Sequence, residues 1–254
     1  SGANDEGQNP ANGAVVYYEL AQDVPESQPV TLTFSTPSGE KIATFSNQPP
    51  KAEPAAAGGE DEEDAPKKPK NLVAAKAGMN RFVWDMRYPE ATKVPGAVLW
   101  AGNLMGPKIV PGTYKVTLTV NGTTLTRDLN VEKNPNNPAT QADFEAQLAL
   151  QQQIHAKLEQ TNQAILAIRK ARDGGVSKAN AAKLTTIENA LMQTLSHANE
   201  DPLNYPIRLD NKLASLAAQV GSDFGAPTRQ DREVYTELAA QVDRQLQLLQ
   251  PLLK

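Results

Sequence analysis

The chain has no cysteine and only two histidines among its 254 residues. Without cysteine there are no disulfide bonds, thiolate nucleophiles or cysteine-ligated metal sites. His155 and His197 are the only imidazole groups. Each falls in a helical pattern far from the other, and neither belongs to a His-Glu-Xaa-Xaa-His motif. We therefore expect no metal site and no bound cofactor.

Long apolar runs and an excess of basic residues are also lacking. No run approaches the roughly 20 apolar residues of a membrane helix, and the start, "SGANDEG", lacks the regions of a signal peptide. The 25 basic and 29 acidic residues leave a net charge of −4 with no basic face for phosphates. We predict neither membrane insertion nor nucleic-acid binding.

The residue pattern of the first half predicts β-strands. Asn121-Gly122 separates two of these segments and is a strong hairpin signal, because a tight primed turn needs positive φ at both central residues. After an N-terminal tail (1–13), we predict an Ig-like antiparallel β-sandwich over 14–133. Its short, β-branched and mostly alternating strand segments are 14–20, 30–36, 41–45, 80–86, 112–120 and 123–131.

One segment inside this predicted sandwich lacks large apolar side chains that a core could bury. Residues 47–71 combine Pro, Ala and Gly with an acidic run at 60–64 and a following group of lysines. Contiguous charges do not match the spaced ligands of a calcium loop. We predict a disordered acidic, Pro-Ala-rich loop.

In the second half the apolar period changes to between three and four. Thr140 followed by Asp143 predicts a helix start, and Gly174-Gly175 predicts its end. A second apolar stripe extends to Leu195, which would place His197 in the last helical turn. A third stripe ends near Gly221, and a fourth helix begins at Thr228. We predict an antiparallel bundle of three to four helices over 134–254.

The stretch "GMNRFVWDMRYPEA" (78–91) contains both aromatic and polar side chains, and its pattern predicts a β-strand in the core. Phe82 and Trp84 share one face of the pleat, and their bulk suits a buried core. Asp85 can accept backbone N–H bonds next to the strand. We expect a structural rather than a catalytic role.

Two other stretches are the candidate interfaces. The loop "VPGAVLWAGNLMGP" (94–107) places large apolar side chains among glycines, which is typical of a surface that covers a neighbouring domain. In "EDPLNYPIRLDNKL" (200–213), Pro202 and Pro206 favour an extended connection that could dock the helices on a partner. The candidate interface residues are Trp100, Met105, Asn204, Tyr205, Arg208 and Asp210.

No arrangement in the sequence favours catalysis. The acid pairs Asp85 with Glu90 and Asp201 with Asp210 could be proposed for glycoside hydrolysis, but acids are common enough for such pairs to arise by chance. No Gly-Xaa-Ser-Xaa-Gly elbow is present to position a serine nucleophile. We predict no catalytic residues and no enzyme activity in this chain.

Four motifs, read in order, carry a family resemblance. "NPANGAVVYYEL" (9–20), "GMNRFVWDMRYP" (78–89), "GPKIVPGTYKVTLTVNG" (106–122) and "EDPLNYPIRLDNKLASLAAQV" (200–220) resemble the C-terminal region of large bacterial sortilin-like β-propeller proteins, usually described as glycosyl hydrolases with BNR or Asp-box repeats. The strand motifs also resemble Ig-like and fibronectin type III-like modules of bacterial extracytoplasmic proteins. The chain contains no Ser-Xaa-Asp-Xaa-Gly-Xaa-Xaa-Trp repeat, so no catalytic residue of the family maps onto it.

The resemblance implies a non-catalytic accessory or interaction module at the C-terminus of a periplasmic, cell-surface or secreted protein. Its expected partner is the β-propeller of the same polypeptide, which it would stabilise, or another extracytoplasmic protein. The alternative is a carbohydrate-binding module that assists a glycoside hydrolase, with Trp100 or Tyr88 as the stacking platform for a glycan.

Overall fold

The computed structural model describes residues 12–49, 71–198, 201–222 and 224–253. These residues contain six antiparallel strands in two sheets and four α-helices, so the predicted mixture of β followed by α is confirmed. Most of the predicted tail (1–13) and of the predicted loop (47–71) lies outside the described residues. The elements are β1 (Ala14–Leu20), β2 (Val30–Ser35), β3 (Lys41–Ser46), β4 (Gly78–Trp84), β5 (Gly112–Val120), β6 (Thr123–Val131), α1 (Gln141–Asp173), α2 (Lys178–Leu191), α3 (Leu209–Ser222) and α4 (Arg229–Leu249).

The described residues separate into two compact units. The strand unit comprises the chain up to Arg87 together with Gly112–Glu132, and the helical unit comprises Tyr88–Pro111 together with the chain from Lys133 onward. This division differs from the continuous 14–133 domain suggested by the sequence. Tyr88–Pro111 belongs with the helices because its apolar side chains pack into their core.

In the strand unit, β1 pairs with β4, and the other four strands follow the order β3-β2-β5-β6. Aromatic rings join the two sheets. Phe34 of β2 stacks on Trp84 of β4 with ring centroids 4.2 Å apart, and Phe82 lies 6.2 Å from the same phenylalanine. All three side chains are buried, and burying a phenylalanine contributes roughly 1.5–3 kcal/mol. The predicted core role of Phe82 and Trp84 is therefore confirmed.

The polar residues around β4 are used by the local backbone. The buried Asn80 side chain donates to the carbonyls of Lys76 at 2.7 Å and Gly78 at 2.9 Å. Asp85 accepts the Arg87 N–H at 3.2 Å. The predicted primed turn between β5 and β6 is present as well, since Asn121 and Gly122 have φ of 49° and 81°.

The helix starts follow the sequence signals closely. Thr140 and Asp143 form a capping box at the start of α1, and Thr228 and Asp231 form another at the start of α4. Each box satisfies N–H groups that the first helical turn leaves without a partner. The four helices share one core, which includes Leu150, Ile154, Leu158, Ile165, Ile168, Leu184, Leu191, Leu213, Val220 and Val242.

The prediction for the end of the second helix is wrong. α2 ends at Leu191, so Leu195 and His197 lie beyond it, and the Leu195 side chain is 57% exposed. The chain turns to extended backbone at Met192, whose buried side chain completes the core in place of Leu195. The following connection is also less extended than predicted, because a 3₁₀ turn spans Asp201–Leu203.

None of the described helices is both long enough and apolar enough to cross a membrane.

Candidate functional site

Residues 88–111, here called the strap, lie against the helices of their own unit. The strap closes on itself through backbone bonds from Tyr88 N–H to the Pro107 carbonyl at 2.9 Å and from Ala91 N–H to the Leu104 carbonyl at 2.8 Å. Ala91 and Val94 are buried in the helical core, and Leu99 and Leu104 are partly buried against it. Burial of these side chains holds the strap in place.

A hydrogen-bond cluster joins the strap to α1 at Thr92. The two carboxylate oxygens of Glu159 accept the Thr92 N–H and hydroxyl, both at 2.7 Å, and Asn162 donates to the Thr92 carbonyl at 2.7 Å. Gln163 donates to the hydroxyl and to the carboxylate, both at 2.9 Å. Burial raises the pKa of Glu159, but the bonds from Thr92 and Gln163 outweigh it and hold the pKa below its usual value. This carboxylate positions the strap and stays ionised.

His155 lies beside this cluster and is half-buried. Burial lowers the pKa of its imidazole, against the opposing effects of the Glu159 charge and a hydrogen bond to the Pro89 backbone. Its Nε2 is buried without a hydrogen-bond partner among the described residues. No group of three or more acidic or imidazole side chains in the described part of the chain is arranged to hold a metal ion.

A pocket of about 490 Å³ lies beside the strap, where α1 faces α2. Arg169 donates to the Pro95 carbonyl at 2.6 Å and to one oxygen of the buried Glu188 at 2.7 Å. Arg172 pairs with the other carboxylate oxygen. Because two guanidinium groups occupy the carboxylate, Glu188 is not free to act as a base, and the pocket ties α1, α2 and the strap together.

The most distinctive feature is the clamp on Trp100, formed by Asn211 and Ser215 of α3. The Asn211 side chain accepts the Trp100 N–H at 2.9 Å and donates to the Trp100 carbonyl at 2.7 Å. The Ser215 hydroxyl donates to the same carbonyl at 3.1 Å, and Asn211 also donates to that hydroxyl at 3.1 Å. Asn211 is buried, so its bonds are shielded from water. The main chain of Trp100 is thus held at both of its polar groups.

The ring of Trp100 remains open although its backbone is clamped. Its side chain is 52% exposed, whereas Trp84 is fully buried. Met105, further along the strap, is 46% exposed, and its N–H donates to the Asn103 side chain at 3.0 Å. The strap therefore presents two large apolar side chains to solvent from a backbone with little freedom to move.

Close packing of the strap on α3 depends on Gly102. A Cβ atom at this position would lie 2.8 Å from the backbone of Ala214 and Ser215. Real side chains essentially never approach so closely, so only glycine lets the two backbones meet here. Gly102, two residues after Trp100, therefore allows the strap to lie close enough to α3 for the clamp to form.

Asp210 precedes the clamp and is buried in the first turn of α3. Burial raises the pKa of its carboxyl to about 7, although hydrogen bonds from the Asn211 and Asp210 N–H groups oppose the rise. The bond to Asn211 N–H is 2.6 Å long. Asp210 therefore keeps its proton to a much higher pH than an exposed aspartate, one residue from the group that holds Trp100.

Asn204, Tyr205 and Arg208, the remaining predicted interface residues, make no hydrogen bond, ion pair or ring contact with Trp100 or Met105 within the described residues. The N–H groups of Asn204 and Tyr205 donate to the Asp201 carbonyl at 2.9 and 2.8 Å, and the Tyr205 side chain is 39% exposed. Arg208 lines a separate pocket with residues of α4. The structure links Trp100 to the turn that carries Asp210, but not to Tyr205 or Arg208.

Sequence reasoning missed Asn211 and Ser215 as functional candidates. Their spacing was the available signal, because Asn211, Ala214 and Ser215 have short side chains and lie about one turn apart on the same face of a helix. Such a face suits close approach of another backbone. Without the tertiary fold, nothing indicated that the backbone would be that of Trp100.

Comparison of the chain with protein-family models, with curated proteins and with solved structures found no match. The resemblance to the C-terminal region of sortilin-like propeller proteins stays a prediction.

Proposed function

We propose that this chain is a non-catalytic interaction module that binds a protein partner through the strap, with Trp100 as the anchor. In this proposal the strand unit is an Ig-like β-sandwich and the helical unit is an antiparallel bundle. The resemblance further suggests an extracytoplasmic setting, with the β-propeller of a longer polypeptide as the partner.

The observation that carries the proposal is the exposed ring of Trp100 on a backbone held by Asn211 and Ser215. Binding energy at protein interfaces is concentrated in a few residues, and tryptophan is among the commonest. A side chain on an already ordered backbone loses less conformational freedom on binding. Met105 adds apolar area beside the same loop.

The polar chemistry supports binding rather than catalysis. Glu159 binds the strap at Thr92, and Glu188 binds Arg169, which in turn binds the Pro95 carbonyl of the strap. Both carboxylates are therefore engaged by hydrogen bonds or guanidinium groups. A general base needs a free lone pair within reach of a substrate proton. These groups instead fix the strap that displays Trp100.

Photocrosslinking from position 100 tests the proposal. The chain is produced in its native cells with p-benzoylphenylalanine in place of Trp100, and adducts are identified by mass spectrometry. Protein adducts are expected at this position, on propeller peptides if the resemblance holds. The matched control places the same group at Tyr17, an exposed aromatic of β1. Equal adducts at both positions, or none at position 100, would refute the proposal.

A carbohydrate-binding module is the second candidate, and the open Trp100 ring favours it. A flat exposed aromatic ring can stack on a sugar. The chain has two tryptophans, and the other is fully buried. Quenching by soluble polysaccharides would therefore report on Trp100. Saturable quenching that disappears in Trp100→Phe supports this candidate, and no response across glycan classes eliminates it.

A further inference from the structure

A second pocket in the helical unit is lined mainly by basic and amide side chains. It has a volume of about 220 Å³ and lies where the end of α2, the start of α3 and the C-terminal half of α4 meet. No aspartate or glutamate lines it. Its lining residues are Ala190, Arg208, Leu209, Lys212, Gln241, Arg244 and Gln245.

The three cations of this pocket are free of counter-ions. Within residues 12–49, 71–198, 201–222 and 224–253, the side chains of Arg208, Lys212 and Arg244 make no ion pair and no hydrogen bond. This differs from the first pocket, where both arginines are paired with Glu188. In a chain with a net charge of −4, three basic groups converging without an acid make a local site of positive potential.

Three acids neighbour these cations, and each already has a partner. Asp210, between Arg208 and Lys212 in sequence, is buried and accepts the Asn211 N–H at 2.6 Å. Asp243, next to Arg244 in sequence, accepts an ion pair from Lys157 at 2.7 Å. Glu237 accepts a bond from the Gln241 amide at 3.2 Å. That bond leaves the Gln241 carbonyl oxygen available as an acceptor.

The basic side chains of the pocket come from two helical elements. Arg208 directly precedes α3, Lys212 lies in its first turn, and Arg244 lies on α4. Arginine supplies paired donors that match carboxylate, sulfate and phosphate oxygens.

From this geometry we infer that the pocket of Arg208, Lys212 and Arg244 binds a small oxyanion carried on a polar molecule. The volume admits a single anionic group with a few further atoms, and the amides of Gln241 and Gln245 suit hydroxyl groups beside it. This site does not depend on the Trp100 surface or on the proposed function.

Isothermal titration calorimetry of the whole chain tests the inference, with inorganic phosphate, glucuronate and uncharged glucose as probes. Saturable binding of phosphate or glucuronate is expected, weakening as salt rises, with no binding of glucose. Binding of phosphate alone would assign a phosphate or sulfate ester as the ligand group. Binding of glucuronate alone would assign a carboxylate. The absence of saturable binding of either anion would overturn the inference.

Matched arginine variants separate a built site from general charge attraction. Arg244→Gln should weaken binding about tenfold, while Arg232→Gln, the same change elsewhere on α4, should leave it unaltered. Trp100→Ala should also leave it unaltered. Both arginines are exposed, so the variants should fold, which a urea unfolding curve checks. Equal weakening by the two arginine variants would refute the pocket.

Discussion

The burial of Asp210 predicts that stability falls as pH rises toward neutrality. In the folded chain the pKa of this carboxyl is about 7, against 3.8 for the ordinary value. The folded state therefore binds its proton more tightly than the unfolded state. The resulting stability is fully present below about pH 4 and is lost as pH rises through about 7.

The size of the effect follows from the shift. Each pKa unit corresponds to about 1.4 kcal/mol, so a shift of about three units corresponds to at most about 4 kcal/mol of unfolding free energy. Asp210→Asn removes the titrating group and keeps an oxygen that can accept the Asn211 N–H. Above about pH 7 the variant should be more stable than the parent, and below about pH 4 the two should be equal.

Urea unfolding followed by circular dichroism of the helices, from about pH 4 to about pH 8, measures this difference. Asp201→Asn is the control, because that exposed carboxylate has a lowered pKa owing to hydrogen bonds from the His197 and Ala198 N–H groups. Over the same pH range, the difference in unfolding free energy between Asp201→Asn and the parent should not increase in favour of the variant. Parallel stability curves for Asp210→Asn and the parent would refute the reasoning that burial keeps Asp210 protonated.

Three further changes probe the strap and its supports. Gly102→Ala places a methyl group against α3 and should cost about 1–3 kcal/mol of unfolding free energy, measured by urea unfolding; an unchanged midpoint would contradict the packing. Asn211→Ala removes the acceptor of the Trp100 N–H and leaves the Trp100 carbonyl with the Ser215 hydroxyl alone. The variant should lose about 1–3 kcal/mol of unfolding free energy, and acrylamide should quench its Trp100 fluorescence more strongly than in the parent. Equal quenching in the two proteins would contradict the clamp. Glu188→Gln removes the charge shared by two partly exposed arginines and should cost about 1.5–3 kcal/mol of unfolding free energy, with high salt reducing the loss. An unchanged unfolding free energy would show that water solvates the arginines well enough without the carboxylate.

Several elements were predictable because their signals are local. The Thr140 and Thr228 caps each depend on an aspartate three residues later, and Asn121-Gly122 specifies its turn through its own backbone. The burial of Phe82 and Trp84 follows from alternation along one strand. In each case the deciding partners lie within a few residues.

The errors arose where distant side chains competed for the same space. The apolar spacing of α2 extends to Leu195, but Met192 leaves the helix and fills the core first. Tyr88–Pro111 reads as part of the strand domain, yet Ala91 and Val94 are buried among helices. Periodicity cannot show which of two apolar residues reaches a core that is assembled from elsewhere.

The sequence by itself determined the six strand segments and the starts of α1 and α4, and it predicted Trp100 and Asp210 as candidate interface residues. Only the tertiary structure decided what those residues do. Asn211 and Trp100 are 111 residues apart along the chain, and Arg244 of α4 lines the same pocket as Arg208, which precedes α3. Local preferences act over a turn or a strand, whereas a clamp or a charged pocket exists only after packing has brought separate elements together.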